Sequence, residues 1–183
     1  MNGDVVRKRK WFWSWQDENQ ESWLADMSKQ GLHLTELGGF ASYRFAKGAP
    51  RSYAYRLDFA NKKGTDDYFQ FIRDAGWEHL GTLAGWQYWR KEDCAGESSE
   101  FFSDTESKVQ KYQRLLLSFA TSSPSLAAMM VVGLGMFKRF PGRHPSWFVI
   151  LFVGVFMIGI LFTALNAMMV QSRIRQLRQS QPV

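Results

Sequence analysis

The side chains that could do chemistry are few, and their spacing argues against catalysis. The three histidines, His33, His79 and His144, form no HxxxH or HExxH pattern, and the single Cys94 rules out a CxxC pair. A metal site therefore has no ligand set behind it, and no metal or cofactor is expected. No GxSxG, Walker loop or GxGxxG stands before a helix pattern, and Gly133-Leu134-Gly135 lies inside an apolar run. Asp17-Glu18 and Asp66-Asp67 stand at helix starts, where the positive end of the backbone dipole accounts for them. With no nucleophile beside a base, the sequence predicts a non-enzyme. The polar side chains left for recognition are Arg44, Arg56, Gln87 and Arg90, placed by strand alternation where they would face solvent or a groove for a small ligand or a protein partner. A central-strand aromatic motif of the RNA-binding kind is only faintly echoed by Tyr53 and Tyr55. The echo breaks at Ser52, Arg56 and Asp58, so nucleic acid is not expected.

The elements that must position these residues lie in a polar front and an apolar back. Leu115 to Phe137 and Trp147 to Val170 are runs of 23 and 24 residues without a charged side chain. About 20 apolar residues cross a bilayer as a helix. The spacing predicts a transmembrane hairpin, with Gly159, Thr163 and Ala167 as a small-residue stripe for helix contact. The front half of the first span holds Ser118, Thr121, Ser122, Ser123, Pro124 and Ser125. Hydroxyls there can satisfy a carbonyl freed by the proline. That cluster supports an alternative function, in which the hairpin is the active part of a small oligomeric channel, a transporter subunit or a membrane-perturbing protein.

Charge follows the same division. Residues 1–91 are net +3, residues 92–107 net −6, and residues 108–183 carry nine bases and no acid, for +6 in all. The basic excess flanks the spans and does not form a nucleic-acid patch. Lys108, Lys111 and Arg114 precede the hairpin, Lys138, Arg139 and Arg143 lie in its loop, and Arg173, Arg175 and Arg178 follow it. Six bases against three favour both termini in the cytoplasm of a multi-pass membrane protein. The lone Cys94 agrees with a reducing compartment. The start shows no signal peptide, because Gln16-Asp17-Glu18 stops the aromatic run early.

Residues 1–91 read as an α+β domain, 92–107 as an acidic linker, and 108–178 as the hairpin with its basic tail. Arg7 to Lys10 is a basic end that could meet lipid headgroups. Trp11, Trp13 and Trp15 alternate, as the core face of a first strand would. Asp17 and Gln20 suit a capping box at the start of a helix ending at Gly31, with Trp23, Leu24 and Met27 as its apolar stripe. Two extended runs follow, the second placing Ala41, Tyr43 and Phe45 on one face. Tyr53, Tyr55, Leu57 and Phe59 alternate as the clearest strand. Thr65 starts a second helix with Tyr68, Phe71, Ile72 and Ala75 on one face, closed by Gly76. Two final extended runs surround Ala84-Gly85. A shift of 45 residues superposes Gly31 on Gly76, Trp23 on Tyr68, Met27 on Ile72 and Tyr43 on Tyr88. Two such halves predict a duplicated, ferredoxin-like layout, one antiparallel sheet with helices on one face.

The basic start into aromatics, then Glu21-x-Trp23-Leu24-x-x-Met27-x-x-x-Gly31-x-x-Leu34, Tyr43-x-Phe45, Tyr55-x-Leu57-Asp58, Tyr68, Ala75-Gly76-Trp77-Glu78 and Trp86-Gln87-Tyr88-Trp89-Arg90 together resemble the bacterial family catalogued as domain of unknown function 2812 (DUF2812). The resemblance covers roughly Arg7 to Lys91. It implies C-terminal membrane spans, a mainly Gram-positive source and genetic company with PadR-type regulators. It brings no established activity and no catalytic residues. The expected function is a non-enzymatic, membrane-anchored cytoplasmic binding or sensing module, accessory to a regulatory or stress system. Its expected partners are the lipid bilayer and a ligand or protein, with a homo-oligomer as a further possibility.

Overall fold

A computed structural model describes residues 5–39, 41–59, 65–93, 105–139 and 146–179. The chain divides into two compact units, Met1–Lys111 and Tyr112–Val183. Cys94, most of the acidic linker, Arg143 and His144 lie outside the described residues.

The first unit begins with β1 (Val5–Arg9), α1 (Asp17–Lys29), β2 (Leu32–Gly38) and β3 (Ser42–Lys47). It continues with β4 (Tyr53–Phe59), α2 (Thr65–Asp74), β5 (Glu78–Leu83) and β6 (Trp86–Glu92). The strands form two three-stranded antiparallel sheets, ordered β1-β3-β2 and β4-β6-β5. This is an α+β domain, but not the single sheet with both helices on one face. The reason lies in β4, which is buried on both sides. Tyr55 and Leu57 join Leu24 and Met27 of α1 and Leu34, Tyr43 and Phe45 of the first sheet in one core cluster. Ala54 points the other way, into a second cluster with Trp89, Trp77 and Ile72 of α2. The two sheets therefore share α1, and α2 covers the far face of the second sheet alone.

The two halves correspond in detail. In each, the first strand pairs with the third and the third with the second. The ladder slips between Leu34 and Glu36 in one half and between His79 and Gly81 in the other, 45 residues on. Gly31 and Gly76 end the two helices with φ of +77° and +85°, a conformation that costs a side chain energy and glycine none.

Several local expectations change. β1 is built from the basic run itself, and Trp11, Trp13 and Trp15 follow it outside any strand. Trp11 and Trp13 are 60% and 39% exposed, so they are not core residues. They lie past the end of β1, and the inward face of this sheet is filled by Tyr43 and Phe45 instead. Ala41 sits in a turn at φ +55° and contributes to no strand face. On α2 the spacing predicts Phe71 on the packed face, but Phe69 packs there and Phe71 is 70% exposed. The helix ends at Asp74, so Ala75 lies beyond its last turn.

The second unit contains most of α3 (Thr105–Arg139) and all of α4 (Ser146–Gln179). Both helices are long and apolar enough to cross a membrane, and both extend beyond the uncharged runs at each end. Large apolar side chains such as Val131, Val132, Ile150 and Ile158 are exposed along them, a surface suited to lipid. The helices approach closely at Gly133, where a Cβ would run into the ring of Phe152, and at Gly159, which faces Leu126. Pro124 stands inside α3. The nearby hydroxyls donate to carbonyls of their own helix: Ser118 to Leu115, Thr121 to Leu117 and Ser118, Ser122 to Phe119, and Ser125 to Thr121. The carbonyl that the proline frees, that of Ala120, is not among these acceptors.

Candidate functional site

The inward face of α1 is not uniformly apolar. Leu24 and Met27 share it with Asp17, Gln20, Glu21 and Ser28, all buried. A buried polar group without a partner costs energy, so each must be matched. Gln20 spans the two halves of the unit: its Nε2 donates to Tyr43 Oη at 2.9 Å and to Tyr88 Oη at 2.8 Å. These tyrosines are the pair superposed by the 45-residue shift. Burial pushes the Tyr88 phenol up to about 12 and raises that of Tyr43 as well, so both remain neutral. Ser28 and Tyr55 join their hydroxyls at 2.7 Å.

Glu21 and Asp17, one turn apart, meet the open side of β4. As an edge strand, β4 presents unpaired backbone groups that need cover. Glu21 Oε1 accepts the Leu57 N–H at 2.8 Å, and Lys111 Nζ donates to the Leu57 carbonyl at 3.4 Å. The same ammonium donates to Asp17 Oδ2 at 2.5 Å. Arg56 completes the cluster, 3.3 Å from Glu21 Oε2 and bonded to its neighbour's carbonyl at 2.8 Å. Two carboxylates and two cations thus enclose one stretch of strand edge. On the α2 side of the same strand, Tyr68 donates to the buried Asp58 at 2.7 Å.

The chemistry this arrangement supports is proton uptake. Burial raises the Glu21 carboxyl from 4.5 to about 7. The charge of Lys111, the Leu57 N–H and the charge of Arg56 oppose the rise, while that of Asp17 adds to it. Between these values the folded chain holds a proton that the unfolded chain has released. Stability therefore falls as pH rises through this window and levels off above it, by about 3 kcal/mol in all. Glu21→Gln keeps an acceptor for the Leu57 N–H but cannot ionise. The gap in melting temperature between Glu21→Gln and the wild type is expected to widen in favour of the variant from about pH 5 to about pH 8. A gap independent of pH would contradict the assignment.

The recognition residues inferred from alternation do not converge. Arg44 lies on the outer face of the first sheet and pairs with Glu36 at 2.5 Å, both exposed. Arg56 belongs to the cluster above. Gln87 is buried, not open to solvent: its Oε1 accepts from Thr82 Oγ1 at 2.5 Å and lies 2.9 Å from His79 Nε2. Arg90 pairs with Glu78 at 2.5 Å and lies over the Tyr53 ring, 4.7 Å from its centroid. Asp17 and Gln20 do not form a capping box, since no side-chain bond caps α1 and both are used inward. Lys111 does not flank lipid in the manner of a headgroup-facing base, because Asp17 holds its ammonium in a buried pair. Asp17 and Lys111 are 94 residues apart, and no local pattern relates them. No group of three or more metal-binding side chains occurs among the described residues.

Two small antiparallel sheets around a shared helix, running on into two long apolar helices, define the class of this protein. Within that class the chain belongs to the family described as Protein of unknown function (DUF2812), whose profile matches residues 16–123. The match starts just before α1 and ends within α3, so it includes every member of the buried cluster and omits β1. None of the curated proteins matches the chain, and none of the solved structures does.

Proposed function

We propose that this chain is a non-enzymatic binding or sensing module, held at the cytoplasmic face of a membrane by α3 and α4. The observation that carries the reading is Lys111. It belongs to the first unit and pairs with the buried Asp17 of α1, yet it lies on the helix that continues as the first apolar span. A carboxyl poised near neutrality beside it gives the module a group that a ligand or a proton could bias. The matching strand order, bulges and helix-ending glycines support a duplicated unit of strand, helix and two strands. What remains of the ferredoxin-like reading is the split arrangement in each half, with two parallel strands flanking a third.

Exchange of residues 115–179 for an unrelated two-span hairpin tests the reading, with partners compared after crosslinking in intact cells. Retention of the same crosslinked species is the expected result. Its loss on hairpin exchange would favour the hairpin as the active part. That alternative draws less support from α3, where the hydroxyls of Ser118, Thr121, Ser122 and Ser125 are spent on their own backbone.

A further inference from the structure

From Val5 to Trp13 the odd-numbered residues turn outward. Val5, Arg7, Arg9, Trp11 and Trp13 are all exposed. The stretch Val5–Trp15 holds Arg7, Lys8, Arg9 and Lys10 and no acid. β1 is the edge of its sheet, and Arg7 stands opposite Arg44 on the same outer face. The indoles support each other away from the core. Trp11 meets Trp13 edge-on at 5.8 Å, and Trp13 stacks on Trp15 at 5.3 Å with 9° between their planes. Lys10 lies over Phe12 at 5.1 Å and over Trp23 at 5.3 Å.

We propose that the outer face of β1 and the Trp11–Trp13–Trp15 ladder dock on anionic lipid headgroups. Indoles favour the headgroup level of a bilayer, and clustered bases are drawn to anionic leaflets. The proposal rests on the membrane reading above, in which two spanning helices tether the chain to a bilayer. Single-stranded nucleic acid also takes bases and aromatic rings, but it inserts its own bases between or upon open rings. Here Trp13 and Trp15 each already cover one stacking face of the other.

Full-length chain in lipid nanodiscs provides the test. Hydrogen exchange of residues 5–15 is compared in phosphatidylcholine discs and in discs doped with phosphatidylglycerol. Slower exchange in the anionic discs, reversed by high salt, is expected. Each basic side chain removed is expected to lower the docked-to-free ratio about fivefold, the equivalent of about 1 kcal/mol. Arg9→Gln with Lys10→Gln tests the charges, and Trp11→Ser, at an exposed position, tests the ladder. Equal exchange in both lipids would overturn the docking surface while leaving the membrane anchor intact. Protection by single-stranded RNA in neutral discs, without protection by anionic lipid, would overturn it in favour of nucleic acid. Failure of the chain to enter discs at all would instead overturn the membrane reading.

Discussion

Lys111→Met is expected to destabilise the first unit by about 3–5 kcal/mol, the cost of removing one partner of a buried ion pair. Asp17 is almost wholly buried, and Lys111 Nζ is bonded to it, so the variant strands a carboxylate in a dry site. The Leu57 carbonyl loses a donor at the same time. Glu21 would feel the change too, because the charge of Lys111 holds its carboxyl down, and it should titrate higher in the variant. Asp17→Asn in the Lys111→Met background removes the stranded charge and is expected to recover most of the loss. Native-state hydrogen exchange of α1 and β4 in detergent measures both, and avoids treating a two-unit chain as one cooperative transition. Additive losses in the double variant would contradict a direct pair.

Gly31→Ala is the second large effect, at about 3 kcal/mol. A side chain at φ +77° carries about 1–2 kcal/mol of strain. Its Cβ would also collide with the backbone oxygen of Gly48, which cannot swing aside because Gly48 N–H donates to the Gly31 carbonyl at 2.9 Å. Overpacking of this kind adds about 1–3 kcal/mol. Gly76 is the matched control. It has the same conformation at φ +85°, but its Cβ would meet only the flexible Lys91 side chain at 3.5 Å. Gly76→Ala should therefore cost about 1–2 kcal/mol, the strain alone. Chemical denaturation followed through the tryptophans of the first unit compares the two, and equal losses would remove the collision from the account.

The sequence made some of this legible and hid the rest for physical reasons. Helix-ending Gly31 and Gly76, the apolar Leu24 and Met27, and the alternation of β4 are local signals, and the structure carries them. The 45-residue correspondence reaches as far as the two strand bulges. Alternation alone cannot say where a strand stops or which face is inward: the spacing of Trp11, Trp13 and Trp15 suits a core face, yet they follow β1, and Tyr43 and Phe45 fill the core. β4 read as half-buried because Ala54 and Asp58 do not look like a second core face, yet α2 covers them. Asp17, Gln20 and Glu21 read as the ordinary start of a helix. Their roles depend on Tyr43, Tyr88, Leu57 and Lys111, partners 23 to 94 residues away. A basic residue before an apolar run reads as a membrane flank, and only the fold turns Lys111 inward.

The central claim is a cytoplasmic module anchored by two membrane helices. Cys94, the one thiol, stands between the module and α3 and reports on it directly. Cells expressing the full chain are treated with a membrane-impermeant maleimide before and after permeabilisation, and membranes are then washed at alkaline pH. The account predicts no labelling of Cys94 in intact cells, full labelling after permeabilisation, and retention of the chain in the washed membranes. Labelling in intact cells, or release of the chain by the alkaline wash, would contradict it.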